Sequence, residues 1–334
     1  MIKRTQTEIM QSWGVDNSEN PLVSVRCITF NHEKYISQAI DSFLMQETNF
    51  PFEIVIHDDA SIDHTADIIR EYEAKYPKIV KPIYETENQH SKHDGSIRRI
   101  MQKACKGKYI AYCEGDDYWI SKDKLQKQAD ILERYKDVAI CYCKVQAFEG
   151  DKDSFCIPPD YMKEGFVDLK AFINSEFNNQ EWTFHTSSFF IRNTYYSEYL
   201  ECNEYFRVFS CFPYGDMPTQ LYMLCKGRGY FINEVMSKYR LNSGGYNSSV
   251  KNNPGIYIRE EKKLIKALKK FDKYKSYEFH NDIKVKIFSS RKKILLKILT
   301  TKYPTLFRIL RFLWRISFSK ILKMMRGYVC TVED

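Results

Sequence analysis

The chain has 334 residues, of which 43% are hydrophobic and 28% are charged, and its formal net charge is +8. These proportions are typical of a globular protein with a substantial core and exclude an intrinsically disordered one. Residues 1–20 lack an apolar core segment, and no run of about 18 apolar residues occurs further on. We therefore expect neither a secretory signal nor a membrane-spanning helix.

The ten cysteines are scattered along the chain without a CxxC pair. This spacing argues against a zinc site, and in a chain without a secretory signal it also argues against a disulfide framework. We expect buried thiols in a reducing compartment, and we predict a cytoplasmic protein.

Charge is unevenly distributed. Residues 251–334 contain 22 lysines and arginines against 7 acidic residues, so the first 250 residues are net acidic. A basic region attached to an acidic body predicts an anionic partner. We divide the chain into an N-terminal extension (1–20), a main domain (21–250) and a basic helical C-terminal region (251–334).

Strands and helices alternate in the first half of the chain. Apolar, β-favouring runs predict strands at 22–29, 53–57, 79–84 and 138–145, and a further one from residue 109. Helical periodicity predicts helices at 35–46, 66–76, 97–105 and 124–135. Strands that alternate with helices of about a dozen residues predict an α/β protein with a parallel, doubly wound sheet.

The second half of the chain has weaker signals. We interpret residues 151–165, which include Pro158 and Pro159, as a linker or flap. Residues 183–192 are rich in β-formers, 219–225 are helical and 227–232 form a strand. Residues 239–245 read as a polar, flexible loop, and beyond Pro254 the chain becomes a lysine-rich helix.

Two nucleotide-binding motifs are excluded. No glycine occurs between Gly14 and Gly95, so the first strand-to-helix turn is neither a GxGxxG dinucleotide loop nor a GxxxxGK[ST] phosphate loop. A nucleotide would have to be held by side chains, a metal and ordinary backbone.

Three carboxylates, Glu114, Asp116 and Asp117, follow the strand predicted from residue 109. Carboxylates at this spacing repel one another unless a cation lies among them, which favours a divalent metal such as Mg²⁺. The alternative is a solvated turn that caps the next helix.

Five segments of residues 21–250 form an ordered series of motifs: Thr29-Phe30-Asn31, Asp58-Asp59-Ala60-Ser61-Ile62-Asp63-His64-Thr65, Glu114-Gly115-Asp116-Asp117-Tyr118-Trp119, Tyr214-Gly215-Asp216 and Tyr239-Arg240-Leu241-Asn242-Ser243-Gly244-Gly245. Taken together, these motifs resemble those of family 2 glycosyltransferases, which are inverting enzymes of the GT-A fold. Four departures accompany the likeness: Glu114 replaces the usual first aspartate of the metal motif, Gly215 stands where an acid is frequent, Asn242 stands where histidine is common, and Gln89-His90 stand where a glycine often follows the asparagine near Asn88.

This resemblance implies a Rossmann-like, mainly parallel mixed sheet flanked by helices, with the basic helical region as an extension. It also implies metal-assisted single displacement of a sugar from a nucleoside diphosphate, with UDP favoured, to a hydroxyl of a glycan or lipid-linked acceptor. By the same likeness, Asp216 is the base, and Asp116 and Asp117 hold Mg²⁺ or Mn²⁺. The residues expected to bind the nucleotide sugar are Thr29, Asn31, Glu33, Asp58, Asp59, Glu114 and Asp116.

Alternative roles stay open for several of these residues. Asp216 also suits the start of a helix, and Thr29, Asn31 and Glu33 suit ordinary turn chemistry. Trp119 is either a packing residue or a platform for the acceptor. We take the histidines as structural, because they lack metal-ligand spacing.

Two other functions compete with the transferase. A catalytically silent carbohydrate- or membrane-binding protein could use the same scaffold. A sugar-phosphate nucleotidyltransferase would need a glycine-rich basic loop after the first strand, which is absent.

Residues 305–326 have the periodicity of a basic amphipathic helix. An anionic membrane surface is one predicted partner of this helix, which would make the protein peripheral on the inner face of the cell membrane. The alternative is a terminal helix packed on the main domain. We predict no nucleic-acid partner, because no nucleic-acid-binding module is visible.

Overall fold

The structure is a computed structural model of the chain, and it describes residues 4–14, 20–92, 94–179, 183–241, 250 and 252–305. The strands are β1 (Val23–Thr29), β2 (Phe52–Asp58), β3 (Val80–Tyr84), β4 (Tyr109–Tyr112), β5 (Tyr118–Trp119), β6 (Val138–Glu149), β7 (Lys152–Ile157), β8 (Gly165–Val167), β9 (Phe190–Arg192) and β10 (Arg228–Arg240). The helices are α1 (Gln6–Met10), α2 (Ile36–Leu44), α3 (Thr65–Lys75), α4 (Ser96–Ala104), α5 (Lys124–Arg134), α6 (Leu169–Ile173), α7 (Asn193–Glu201), α8 (Asn203–Arg207), α9 (Asp216–Lys226), α10 (Pro254–Tyr274) and α11 (His280–Lys302).

The strands form one mixed sheet in the order β3-β2-β1-β4-β9-β6-β10-β5, with β7 paired to β6 and β8 paired to β10. Strands β1 to β4 are parallel to one another, and β9 lies antiparallel between β4 and β6. Because β6 is antiparallel to β9 and parallel to β10, both run in the same direction as β1 to β4. The carboxyl ends of these six strands therefore lie at one edge of the sheet, which confirms the predicted mixed, mainly parallel architecture.

Helices cover both faces of the sheet and form two hydrophobic cores. On one face, Ile36, Ile40 and Phe43 of α2 are buried with Val25 of β1. The other face carries the larger core, to which α4, α7, α9 and α10 contribute. Strands β1, β2 and β4 are buried almost throughout, which explains their nearly continuous apolar sequences.

The prediction of a linker or flap at 151–165 is wrong. The chain reverses at Gly150, where φ is +59°, and returns as β7, which pairs antiparallel with β6. Most of β7 is exposed, so its side chains lack the apolar alternation that marks a half-buried strand. Residues 165–167 form β8 rather than part of a linker.

The expected helical C-terminal region is present as α10 and α11. Leu264, Leu268 and Phe271 of α10 and Ile283 of α11 belong to the larger core of the sheet. No helix in the described part of the chain is both long enough and apolar enough to cross a bilayer. The predicted basic amphipathic helix at 305–326 lies outside the described residues except for Thr305, and Asn242 to Gly245 also lie outside them.

Candidate active site

Three strand ends form the floor of the candidate site. The main-chain N–H of Asp59 donates to the carbonyl of Thr29, which joins the ends of β2 and β1. The N–H of Gly115 donates over 2.9 Å to the carbonyl of Ile28, so the carboxylate segment after β4 lies beside the end of β1. The parallel topology thus brings three of the predicted motifs to one edge of the sheet, where open α/β sheets bind ligands.

Gly115 allows a close approach between two of these segments. A Cβ atom placed on Gly115 would lie 2.7 Å from Oγ1 and 2.8 Å from Cβ of Thr29. Thr29 is fully buried, and its hydroxyl has no hydrogen-bond partner among the described residues. Thr29 therefore presents an unused donor and acceptor in the floor of the site.

Asn31 and Glu33 connect two loops. The N–H of Asn31 donates to Oγ of Ser61, and the Asn31 Oδ1 accepts from the N–H of Ile62 over 2.9 Å. Glu33 donates from its N–H to Asp63 and accepts from the N–H of His64. These bonds are the turn chemistry considered above as an alternative, and they fix the β1–α2 loop to the β2–α3 loop. Asn31 has a φ of +54°, a conformation that asparagine tolerates well.

Asp58 ends β2 and Asp59 follows it directly, and both side chains are buried. Burial raises the pKa of Asp58, although Oγ of Ser61 donates to its carboxylate over 2.5 Å. The two carboxylate oxygens of Asp59 accept from the main-chain N–H groups of Gln89 and His90, over 2.7 and 3.0 Å. Asp59 thus orders the segment after β3, a contact that the sequence pattern did not indicate.

Negative charge is concentrated after β4. Burial raises the pKa of Glu114. The positive charge of Arg26, whose Nη1 lies 3.5 Å from Oε1 of Glu114, opposes this rise, and the negative charge of Asp116 adds to it. Burial also raises the pKa of Asp117 well above its ordinary value, and the charge of Asp116 adds to the rise. The charge of Asp116 thus disfavours ionisation of Glu114 and Asp117, as expected of a site that attracts a cation.

Two residues to which the sequence pattern gave no individual role lie beside Asp117. The main-chain N–H of Arg240, at the end of β10, donates to Oδ1 of Asp117 over 3.0 Å. Nε2 of His185 lies 3.9 Å from Oδ2 of Asp117, and burial lowers the pKa of His185 to about 3. His185 was expected to be structural, but it borders the carboxylate cluster as a neutral imidazole.

The Arg240 guanidinium closes one side of this cluster. Its Nε donates to the carbonyl of Asp116 over 3.0 Å, and its Nη2 donates to Oε1 of Gln38 over 2.7 Å. The guanidinium also packs over the rings of Tyr35 and Phe148. Arg240 therefore fixes the main chain of the carboxylate segment and leaves its acidic side chains as ligand groups.

The negative charge of these residues suits a divalent cation, but the described protein side chains alone do not form a complete set of ligands for one. Among the described residues, no three His, Cys, Asp or Glu side chains are grouped so that they could hold an ion. Mg²⁺ and Mn²⁺ accept one or two carboxylates and complete their coordination with water and phosphate oxygens. Asp116 and Asp117 fit such a cation if a diphosphate supplies further ligands.

Asp216 is the first residue of α9. This helix leads into the amino end of β10 and packs on β6 and β10, so its N-terminus points towards the carboxyl edge of the sheet. The N–H of Met217 donates to Oδ1 of Asp216, and burial raises the pKa of Asp216 against the opposing charge of Arg98. Gly215 makes room for Arg98, since a Cβ there would lie 2.4 Å from Nη2 of Arg98.

A second carboxylate lies near Asp216. Burial raises the pKa of Glu176, and the charge of Asp216 adds to the effect while Lys286 opposes it. Nζ of Lys286 donates to the carbonyl of Glu176 over 2.8 Å and lies 3.5 Å from its Oε1. Because Lys286 belongs to α11, the C-terminal region contributes a charge close to the expected base. Residues 151–215 carried no signal that indicated Glu176.

Trp119 is a packing residue. It is fully buried, its ring packs edge-on against Phe43, and Nζ of Lys124 lies 4.5 Å from the ring centroid. Nζ of Lys124 also donates to Oε1 of Gln128 over 2.6 Å. A buried indole cannot serve as a platform for an acceptor sugar, so that alternative is wrong.

Curated relatives match part of this chain. The Uncharacterized protein Rv1520 of Mycobacterium tuberculosis (strain ATCC 25618 / H37Rv) is 39% identical over 150 residues, which are 44% of this chain and 42% of that protein. The putative teichuronic acid biosynthesis glycosyltransferase TuaG of Bacillus subtilis (strain 168) is 35% identical over 112 residues, or 34% of this chain and 42% of TuaG. The matched segments thus span about two fifths of each relative.

Solved structures share the fold. The mannosyltransferase PcManGT from Pyrobaculum calidifontis, in complex with GDP-Man and Mn²⁺, superposes with a TM-score of 0.55 at 14% identity, covering 90% of this chain and 82% of that one. Residues 1–349 of S. aureus TarS, in complex with UDP-GlcNAc, give a TM-score of 0.53 at 17% identity, covering 84% and 73%.

A family model described as "Glycosyl transferase family 2" matches residues 24–200, which include the ends of β1 and β2 and the carboxylate segment after β4. This match extends over more than half of the sequence, and the chain belongs to glycosyl transferase family 2.

Proposed function

We propose that this protein is an inverting glycosyltransferase that moves a sugar from a UDP-linked donor to a hydroxyl group of a glycan or lipid-linked acceptor. The observation that carries the proposal is the shared edge of the sheet, to which Thr29, Asp58 and the carboxylates after β4 belong and towards which the N-terminus of α9 points. The named functions of TuaG and TarS support the same class of reaction.

Donor binding would use the ends of β1 and β2. Each oxygen of the Asp59 carboxylate accepts one main-chain hydrogen bond and keeps a further lone pair for an N–H of the nucleobase. The buried Thr29 would form the floor beneath the donor, and Asn31, Glu33 and Asp58 would hold the surrounding loops in position.

The diphosphate would lie at the carboxylate segment. Asp116 and Asp117 would hold a Mg²⁺ or Mn²⁺ ion, which would stabilise the negative charge that develops on the leaving diphosphate. Glu114, paired with Arg26, would act on the donor indirectly. The Arg240 N–H would keep Asp117 oriented towards the ligand.

Asp216 would be the base. Its carboxylate would take the proton of the acceptor hydroxyl while the oxygen forms a bond to the anomeric carbon and the bond to the diphosphate breaks. A single displacement of this kind inverts the anomeric centre and needs no nucleophilic carboxylate. Burial raises the pKa of Asp216, which makes its carboxylate a stronger base than an exposed aspartate.

The test is calorimetric titration of the protein with UDP in the presence and absence of Mn²⁺, combined with an assay of UDP-sugar hydrolysis. We expect UDP binding that needs Mn²⁺ and that Asp116→Asn weakens by at least about tenfold. Asp67→Asn, which changes an exposed carboxylate on α3, is the matched control. UDP binding without turnover of any UDP-sugar would contradict the transferase and favour the catalytically silent scaffold, and absence of UDP binding would also reject the proposed UDP-dependent transferase.

A further inference from the structure

Helix α11 carries apolar side chains on the side that faces away from the protein. Phe288 is 70% exposed and Leu295 is 56% exposed, and Val285, Leu296 and Tyr303 are also exposed. The opposite side of the helix is buried and includes Ile283, Lys286 and Ser290. We call the exposed set (Val285, Phe288, Leu295 and Leu296 on the helix, with Tyr303 directly after its last residue) the outer face of α11.

The spacing of these residues makes the outer face continuous. At about 100° per residue, Val285, Phe288, Leu295 and Leu296 fall within one third of the helix circumference. The buried residues Ile283, Lys286 and Ser290 lie on the other side, so the outer face points away from the side of α11 that packs on the protein. A core explains the buried side, but nothing in the described part of the chain covers the outer face.

Basic residues accompany the outer face. Lys284, Arg291, Lys292 and Lys302 are exposed on the same side of α11, and within the described residues none of them pairs with a carboxylate. The acidic residue of α11 is Asp282, which accepts a hydrogen bond from Asn178 over 2.7 Å. The exposed side of the helix is therefore both apolar and positively charged.

We propose that the outer face of α11 is a contact surface for an anionic lipid bilayer. Leucine, valine and phenylalanine would enter the boundary between headgroups and acyl chains, while the flanking lysines and arginine would bind the lipid phosphates. An apolar band with a basic border fits this partner better than nucleic acid, because contact with a phosphate backbone would leave the apolar side chains in water. The proposal does not depend on the transferase reaction.

Charge argues against two other occupants of this surface. A second copy of the chain, related by a two-fold axis, would bring the same lysines and arginines against one another. Residues 306–334 contain six lysines and arginines and two acidic residues, so this segment of the chain would also meet a surface of its own sign. A bilayer rich in phosphatidylglycerol has the complementary charge.

The test uses the full chain and sedimentation with vesicles, either of pure phosphatidylcholine or with phosphatidylglycerol added. We expect binding to the anionic vesicles, and a loss of at least about tenfold in the partition coefficient when Phe288, Leu295 and Leu296 are all changed to Ser. A second variant, in which Lys284, Arg291 and Lys292 are changed to Gln, should lose binding to a similar extent. Circular dichroism and thermal unfolding verify that the variants are folded.

Matched controls test whether a loss of binding is specific to the outer face or follows from removing any exposed aromatic residue or any three positive charges. Phe155→Ser removes an exposed aromatic residue from β7, and changing Lys78, Lys103 and Lys170 to Gln removes the same charge from other elements. Both controls should keep at least half of the wild-type binding. Equal binding by the α11 variants and the wild type would assign any membrane contact to another surface and overturn the proposal, as would the absence of vesicle binding.

A fluorescence experiment locates the contact directly. Phe288→Trp should be quenched by vesicles that contain brominated lipids, beyond the quenching of the four native tryptophans, whereas Phe155→Trp should show no extra quenching. Light scattering in the absence of lipid tests whether a second copy of the chain covers the outer face. If the wild type is a dimer and the variant with Phe288, Leu295 and Leu296 changed to Ser is a monomer, the outer face binds a second copy of the chain and the bilayer proposal is overturned.

Discussion

The main-chain N–H of Arg240 donates to Oδ1 of Asp117 over 3.0 Å, although the two residues are 123 positions apart. The side chain of Arg240 also binds the carbonyl of Asp116, so the end of β10 holds the carboxylate segment at two points. Segments from both halves of the chain must therefore fold together before the candidate metal ligands acquire their orientation.

This arrangement predicts the effect of Arg240→Gln. The substitution leaves the main-chain bond to Asp117 but removes the charged donor to Asp116, which should weaken Mn²⁺-dependent UDP binding by about tenfold, or about 1.4 kcal/mol. Calorimetric titration measures the change. The control is Arg70→Gln, which changes an exposed arginine on α3, and equal affinities in both variants would contradict the role of Arg240.

Asp216→Asn should abolish sugar transfer while UDP binding stays intact. Removal of a general base costs about 10² to 10⁴ in rate, and the amide can still accept the N–H of Met217. The measurement is kcat with a UDP-sugar and acceptor, paired with the dissociation constant for UDP. A parallel loss of UDP affinity would place Asp216 in donor binding instead.

The pH dependence of transfer should follow Asp216. Its pKa is raised by burial, so the active carboxylate is lost on acidification at a pH above the ordinary range of aspartate. Arg98 opposes this rise, and Arg98→Gln should therefore move the acidic limb of kcat/KM to higher pH. Gly215→Ala should act in the same direction, because its Cβ would meet the Arg98 guanidinium and displace it. An unchanged limb in both variants would argue against Asp216 as the base.

Gly115→Ala should destabilise the fold at the site. The new methyl group would lie within 2.8 Å of the Thr29 Cβ, which is close to the main chain and cannot move aside as a flexible side chain would. We expect a loss of about 1–3 kcal/mol in the free energy of unfolding, measured by urea denaturation. Thr29→Gly removes both clashing atoms, so the double variant should recover part of the loss beyond additivity.

Lys286→Met should destabilise the protein through Glu176. The substitution leaves a buried carboxylate without its cation, at a cost of about 3 kcal/mol near neutral pH. Because the pKa of Glu176 is already raised by burial and would rise further, the folded state binds its proton more tightly than the unfolded state. The stability deficit should therefore shrink as the pH falls and Glu176 becomes protonated.

Two controls accompany this prediction. Glu176→Gln should restore most of the stability that Lys286→Met removes, since it eliminates the uncompensated charge. Lys284→Met changes an exposed lysine on the same helix and should have little effect. A deficit that stays constant between pH 4 and pH 7 would contradict an electrostatic origin.

Local sequence predicted the parallel half of the fold well. The predicted helix at 124–135 corresponds to α5 at Lys124–Arg134, and the predicted strand at 22–29 corresponds to β1 at Val23–Thr29. Both are long elements with continuous or periodic apolar patterns, in which burial itself determines the residue types. Strand β7 was missed because its exposed residues leave no such pattern, and its pairing with β6 depends on the hairpin turn at Gly150.

The candidate site divides in the same way. The sequence alone determined which segments carry the acidic residues and that these segments follow strands, because strand-forming runs and carboxylate clusters are local features. Only the tertiary structure decided that Arg240 and His185 border Asp117 and that Arg98 and Glu176 lie near Asp216. Their contacts join distant parts of the chain, and the packing of the whole sheet and its helices, rather than any local pattern, brings them together.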